Sequence, residues 1–579
     1  MAETLQPLAD NPAAVRPGRW LRRAPALTLG LFLLPIAAGL IGTWLPAFGY
    51  LPALGGGEIS LDAWRALIAV PGLATSLRLT LVSGVLATLV SLLLTIGFVA
   101  ARHGTPLFAR LRRLLAPLLS VPHAALAIGF AFLIAPSGWL ARLVSPWATG
   151  WQTPPDVPLI QDPYGLALAG GLVLKETPFL LLMTLAALDQ SRAQDRLAVA
   201  RSLGYGPVAA WLKTVLPAIY PQIRLPVYAV LAFSLSVVDM ALILAPSTPP
   251  PLAVQVFRWF NDPDLTLRFA AAAGATLQLA VVVAAIALWH GLERIAAGLG
   301  RLWLVSGRRG GSGRWLSLAA GTGIVTAFAL AAISVIGLAV WSFAYRWRYP
   351  AALPDAWSLD NWARQGDGLL WITSTTAVVA LAAGGLALML VLACLENERR
   401  HGLRPGAWAL WLLYTPLLVP QVAFLFGTQI LAVAAGVDAT WLALVWSHLL
   451  FVLPYVFLAL ADPYRALDER YARAALCLGA GPDRVFWAVK LPMLLRPVLF
   501  ALAIGIAVSV AQYLPTIFAG GGRFVTLTTE AVSLFGGADR RVMGVYAFLQ
   551  ALLPLFAFAA ALALPAWLYR DRRALRGRP

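Results

Sequence analysis

Apolar runs long enough to cross a bilayer recur from end to end of this 579-residue chain, separated by short polar loops. A hydrocarbon core of roughly 30 Å takes about 20 apolar residues of helix to span. Inside it no water can bond an exposed N–H or C=O, so such runs must close their own hydrogen bonds as helices. The runs therefore predict an all-α, polytopic membrane protein of about twelve transmembrane helices. These fall near 24–44, 73–100, 114–136, 163–188, 222–246, 268–292, 315–343, 369–394, 406–433, 437–461, 497–519 and 542–568. Composition agrees: 12% of residues are charged, against about 25% in a soluble domain.

A net charge of +18 would suit nucleic acid if it were clustered on one soluble face. It is instead spread over alternate loops. Arg102, His103, Arg110, Arg112 and Arg113 lie between the second and third spans; Arg294, Arg301, Arg308, Arg309 and Arg314 lie between the sixth and seventh. Arg399, Arg400 and Arg404 follow the eighth span, and Arg570, Arg572, Arg573, Arg576 and Arg578 close the chain. All fall on one side if the N-terminus is cytoplasmic, as the positive-inside rule requires. The partner read from charge is thus the lipid bilayer, with no nucleic acid and with both termini cytoplasmic. Arg16, Arg19, Arg22 and Arg23 precede the first span, which reads as a retained anchor rather than a cleaved signal peptide.

The chain also repeats itself. Ser60-Leu61-Asp62-Ala63-Trp64 matches Ser358-Leu359-Asp360-Asn361-Trp362, 298 residues on, and the same offset relates Arg102-His103-Gly104 to Arg400-His401-Gly402, Pro122 to Pro420, and Gly129 to Gly427. Further along, Ala200 to Pro207 matches Ala475 to Pro482 at an offset of 275. The 23 residues lost between the two registers (298 − 275) place an insertion in the outer loop Pro136–Tyr164. Two parallel six-span repeats follow, 24–292 and 315–568, joined by a cytoplasmic linker, 293–314. A cytoplasmic segment, 1–23, leads in and a cytoplasmic tail, 569–579, closes the chain. Parallel repeats imply a pseudo-twofold axis along the membrane normal.

The best-matched segment is a polar loop. Gly204 is followed by Gly206-Pro207, Trp211 and Pro217; Gly479 is followed by Gly481-Pro482, Phe486 and Pro492 at the same spacing. Glycine permits the left-handed turn that ends a helix, and proline suits the first turn of the next. Each loop should therefore form two short helices at an angle, with Pro217 or Pro492 marking the return to the bilayer. A protruding helix of this kind fits a groove on a soluble partner.

This loop resembles the coupling motif of bacterial ATP-binding-cassette importer permeases, written EAA, three residues, Gly, then a hydrophobic stretch to Leu-Pro. The resemblance covers essentially the whole chain and is nearest to the fused double permeases of the ferric-iron and thiamine group. It implies an ATP-driven importer in a bacterial inner membrane, with a small solute as cargo. The partners implied are two copies of a soluble ATPase and a periplasmic substrate-binding protein, which the mixed-charge outer loop carrying Arg346, Arg348, Asp355 and Asp360 could help to dock. Two departures stand out. The motif's Glu falls on Ala198 and on Arg473, and its first Ala on Val199 in the first copy, with Asp195 and Glu469 nearby.

No catalytic constellation competes. None of the three lysines, Lys175, Lys213 and Lys490, follows a glycine, so no phosphate-binding loop exists and ATP hydrolysis is expected elsewhere. The five histidines are scattered, and Cys394 and Cys477 lack ligand spacing, so neither metal nor cofactor is expected. Ionisable groups at membrane depth are costly and usually functional. Lys175, Glu176, Asp239, His448 and Gln512 are therefore candidates for the translocation path, or else for bonds between helices. Pro122 and Pro420, with His123 and Gln421 beside them, are expected to kink the third span of each repeat. An ion-coupled secondary transporter of twelve spans and a non-transporting scaffold are the alternatives.

Overall fold

A computed structural model describes residues 19–570 apart from 312, 404–405 and 538. Residues 1–18 of the leading segment and 571–579 of the tail, with Arg16, Arg404, Arg572, Arg573, Arg576 and Arg578, lie outside the described residues. The described chain is almost wholly helical. Two short strands, Ala344–Arg346 and Ala356–Trp357, pair antiparallel in the loop after the helix Arg314–Phe343.

Ten described helices are long and apolar enough to cross a membrane, or eleven with the pair Pro482–Met493 and Leu495–Val510, bent by 77°. The all-α, polytopic fold is as expected, with a count close to the about twelve spans read from the sequence. The span expected at 406–433 is two helices, Ala407–Leu418 and Leu425–Ala434, split at Val419-Pro420. Proline has no N–H to give the ladder and its ring clashes with the preceding turn. The same break separates Pro106–Ser120 from His123–Ile134 at Pro122, so the kinks expected at these two prolines are present. Near the far ends of the fifth and eleventh spans, helices stop at Ser236 and Val510 and restart as Asp239–Leu244 and Leu514–Gly520.

The element order repeats with the sequence. Leu166–Gln190 and Trp441–Arg465 correspond residue for residue at an offset of 275, and Leu252–Phe260 and Leu527–Ser533 begin at that offset. Both of the latter begin the same way: the Leu252 N–H donates to Thr80 Oγ1 (3.0 Å) and the Leu527 N–H to Thr376 Oγ1 (2.9 Å). The extra length of the first half is where it was expected, between Ile134 and Leu166. There Arg142 is buried under the rings of Trp341, Trp347 and Tyr349, donating to the Arg348 and Ala351 carbonyls of the other half.

The opening helix of each half packs on the other half. Arg19–Ala47 runs against Leu425–Ala434, and Arg314–Phe343 against His123–Ile134. Glycine makes the contact: a Cβ on Gly42 would lie 2.9 Å from the Gly427 Cα. Small residues are what let helix backbones close together where no hydrophobic force separates protein from lipid.

The first part of the expected linker, 293–314, is helical. The helix beginning at Leu267 continues through Val305, and the glycine-bearing stretch 306–311 leaves it. Within that helix Glu293 receives the Tyr220 (2.7 Å) and Tyr228 (3.0 Å) hydroxyls and pairs with the Arg224 guanidinium (2.9 Å).

Candidate functional site

Each repeated loop is one helix, a glycine turn and a second short helix. In the first, Ala193–Ser202 ends with Gly204 at φ +81°; in the second, Glu469–Cys477 ends with Gly479 at φ +83°. The hydrogen bonds match. Gly204 donates to Arg201 O (2.9 Å) and Tyr205 to Ala200 O (3.2 Å); Gly479 donates to Leu476 O (3.0 Å) and Ala480 to Ala475 O (3.1 Å). This pair of bonds is the Schellman cap, whose left-handed residue is best met by glycine. Ala200 and Ala475 thus supply the acceptor carbonyls of the turn.

The second glycine works differently. Gly206 and Gly481 are extended (φ −61° and −68°) and cap the helices Pro207–Ala210 and Pro482–Val485, with the proline at the first position. Both helices widen into a π-helical turn, Trp211–Val215 and Phe486–Lys490, again 275 residues apart. Such turns insert one residue into the helical ladder and often mark functional sites. Leu216-Pro217 and Leu491-Pro492 then lead toward the membrane, so every residue singled out in the two loops has a structural counterpart. Apolar side chains remain exposed on this polar surface: Val199, Leu203, Tyr471, Leu476, Leu478 and Trp487.

The displaced motif carboxylate has a counterpart one turn earlier. Glu469 pairs with Arg473 (2.8 Å) and with Arg399 (3.2 Å), and these guanidinium groups hold its carboxyl below the usual range.

The two loops are anchored in unlike ways. Trp211 is buried, and Val215 and Phe98 are fully enclosed in the same apolar cluster. At the matching positions the second half carries Lys490 and Glu396. Lys490 Nζ meets the two Glu396 oxygens at 2.9 and 2.7 Å, Arg400 Nε reaches Glu396 at 2.7 Å, and the Tyr464 hydroxyl also donates to it. Arg400 continues to Asp483 (2.9 Å), just past the glycine turn. Sequence reasoning missed this network. The available signal was a lysine and a glutamate standing where the first repeat has Val215 and Phe98.

The path candidates divide. In the first half Lys175 lies within electrostatic reach of both Glu176 and Asp239, and His123 approaches Glu176 at 3.9 Å. Lys175 Nζ also donates to the Leu119 (3.1 Å) and Val121 (2.5 Å) carbonyls freed by the break at Pro122. From the second half, Tyr455 lies near Glu176 and Tyr513 near Asp239. His448 is not part of that group. Its ring nitrogens bond Ser509 Oγ (2.8 Å) and Thr516 Oγ1 (3.0 Å) inside its own half. Gln512 sits in the break after Val510 and donates back to Val508 O (3.1 Å). Among the described residues, no three His, Cys, Asp or Glu side chains converge as metal ligands.

No protein-family profile matches the chain. It is 34% identical over 520 residues to the inner membrane ABC transporter permease protein YnjC of Escherichia coli, covering 90% of this chain and 93% of that protein. Shorter likenesses join it to the molybdenum transport system permease protein ModB of Mycobacterium tuberculosis and to the putrescine transport system permease protein PotI of Escherichia coli. The first is 29% identical over 37% of this chain and 80% of that protein. The second is 26% identical over 26% of this chain and 56% of that protein.

Proposed function

This chain belongs to the membrane permeases of ABC transporters, and from that premise we propose that it supplies both membrane halves of an ATP-driven importer. It is a transport permease and not an enzyme. In this reading the loops at 193–217 and 469–492 are the docking levers for two copies of a soluble ATPase, whose closure on ATP moves the two halves. The single observation that carries the reading is the double Schellman turn. Two glycines at φ above +80°, two identical bond pairs and two π-helical turns recur 275 residues apart on exposed polar loops.

The repeats run from 24 to 292 and from 315 to 568, with both termini on the cytoplasmic side of a bacterial inner membrane, the location in YnjC's name. Lys175, Glu176 and Asp239 line the translocation path, facing Tyr455 and Tyr513 across the halves. A periplasmic binding protein delivers the cargo to the outer face. That cargo is a small solute, ferric iron, thiamine or a related compound by the likeness of the loops; molybdenum and putrescine are named for the two shorter relatives. Membership of the family displaces the ion-coupled secondary transporter.

The test is purification of the tagged full-length chain from native membranes in mild detergent. A phosphate-loop ATPase should accompany it, and should be lost when Gly204 and Gly479 are both replaced by valine. A chain that inserts normally and carries no ATPase would refute the coupling assignment.

A further inference from the structure

The two loops have the same backbone but not the same surroundings. On the second, Leu478, Gly479, Ala480, Arg484, Val485 and Ala488 border an open cleft of about 300 Å³. A Cβ added to Gly479 or Gly481 would meet nothing within 4 Å. On the first, the corresponding region is filled by the linker between the halves. The Gly206 N–H donates to Arg309 O at 3.0 Å, and a Cβ on Gly206 would collide with the Gly311 carbonyl oxygen. Lys213 Nζ donates to Trp303 O (3.0 Å) and Arg308 O (2.8 Å), lying 4.5 Å from the Trp303 ring and 5.1 Å from the Tyr205 ring.

The sequence carries the same asymmetry. The residues that grip the linker are Tyr205 and Lys213; 275 positions on stand Ala480 and Ala488. Gly310 and Gly313 approach Ala209 and Val208 so closely that a Cβ on either would lie within 3 Å of the neighbouring Cβ. Their counterparts, Arg484 and Asp483, would not admit such an approach. So the side chains that hold the linker exist only in the half that has one. Lifting the linker would break the bond from Lys213, 5% exposed with the linker in place, to the Arg308 carbonyl.

We propose that the linker is a resident strap on the first coupling loop and part of its docking surface, so that two like ATPase copies meet unlike faces. The first face is the loop overlaid by the strap, with exposed Arg308 and Arg309 giving it a basic rim. The second is a bare cleft, bordered by Arg484, beside exposed Leu478 and Trp487. This rests on the coupling reading given above.

The test uses the full chain with the ATPase recovered with it, in a Cys394→Ser, Cys477→Ser background. Leu203→Cys, Leu478→Cys and Arg309→Cys are each labelled with a photoactivatable maleimide. All three should cross-link to the ATPase. Adding Lys213→Met should cut the Arg309→Cys yield several-fold while leaving Leu478→Cys unchanged, which also shows that the variant is folded. On the unsubstituted chain, bound ATPase should slow trypsin cleavage after Arg308 and Arg309. Cross-links at Leu203→Cys and Leu478→Cys without one at Arg309→Cys, an Arg309→Cys yield indifferent to Lys213→Met, or cleavage indifferent to the ATPase would overturn the strap alone. No cross-link from any position, or no ATPase recovered, would overturn the coupling reading and the strap with it.

Discussion

Three glycines of the two loops should respond to alanine in a pattern set by backbone conformation and by the space around each. Gly479 sits at φ +83° with open space where its Cβ would be, so Gly479→Ala carries a conformational penalty and no steric one. Holding an L-residue in the left-handed region costs roughly 1–2 kcal/mol, which shifts the population of the native turn about 5–30-fold. Gly481 is equally open but extended, at φ −68° and ψ 157°, so Gly481→Ala should stay within about 0.5 kcal/mol of the parent. Gly206 shares that extended backbone, at φ −61° and ψ 154°, yet its Cβ would strike the Gly311 carbonyl oxygen. Gly206→Ala should therefore be damaging where Gly481→Ala is not. The assay is the fraction of ATPase retained on the tagged, purified chain, with detergent melting as a control for folding. Retention should fall for Gly479→Ala and Gly206→Ala, fall further for the β-branched Gly479→Val, and hold for Gly481→Ala. Equal retention in Gly479→Ala and Gly481→Ala would refute the backbone argument. Equal retention in Gly206→Ala and Gly481→Ala would refute the contact with the linker.

Lys490→Met should destabilise the second half by about 1–3 kcal/mol, because Arg400 and Tyr464 still bond the Glu396 carboxylate. The double variant Lys490→Val, Glu396→Phe, which copies the residues of the first half, should melt above Lys490→Met; a lower melting point would show that the pair is not a packing equivalent of Val215 and Phe98. His448→Ala should lower the melting temperature without changing the substrate concentration at half-maximal uptake, since both ring nitrogens are engaged within one half; a changed half-saturation would restore His448 to the path. Exposed Cys477 should react with a membrane-impermeant maleimide in inside-out vesicles and not in intact spheroplasts, with Cys394, bonded to Thr28, slower. Labelling from the outside would invert the orientation.

Much of the functional surface was legible because it rests on local rules. A glycine at the end of one short helix, a proline at the start of the next and a fixed distance to Leu-Pro are each properties of a few consecutive residues. Gly204 and Gly479 accordingly take the left-handed turn that their spacing implied. Pro122 and Pro420 break their helices for an equally local reason, the missing N–H. One expected span is divided at that same point. Hydropathy averages across a break, and a window over 406–433 cannot see that Val419-Pro420 divides it into two short helices.

By itself, then, the sequence determined that the chain crosses the membrane many times as helices, that it does so twice over in the same order, and that each copy carries one glycine-hinged loop. Only the tertiary structure decided which helices touch. In water, an apolar stripe on a helix points to the core; in lipid the outside is as apolar as the inside, so the pattern of residues does not say which face meets protein. The exchange of opening helices through Gly42 and Gly427, the Glu396–Lys490 pair and the seating of Lys213 under the linker all join residues far apart in the chain. Each depends on close approach or on satisfying one buried charge, and neither leaves a periodic trace in the sequence.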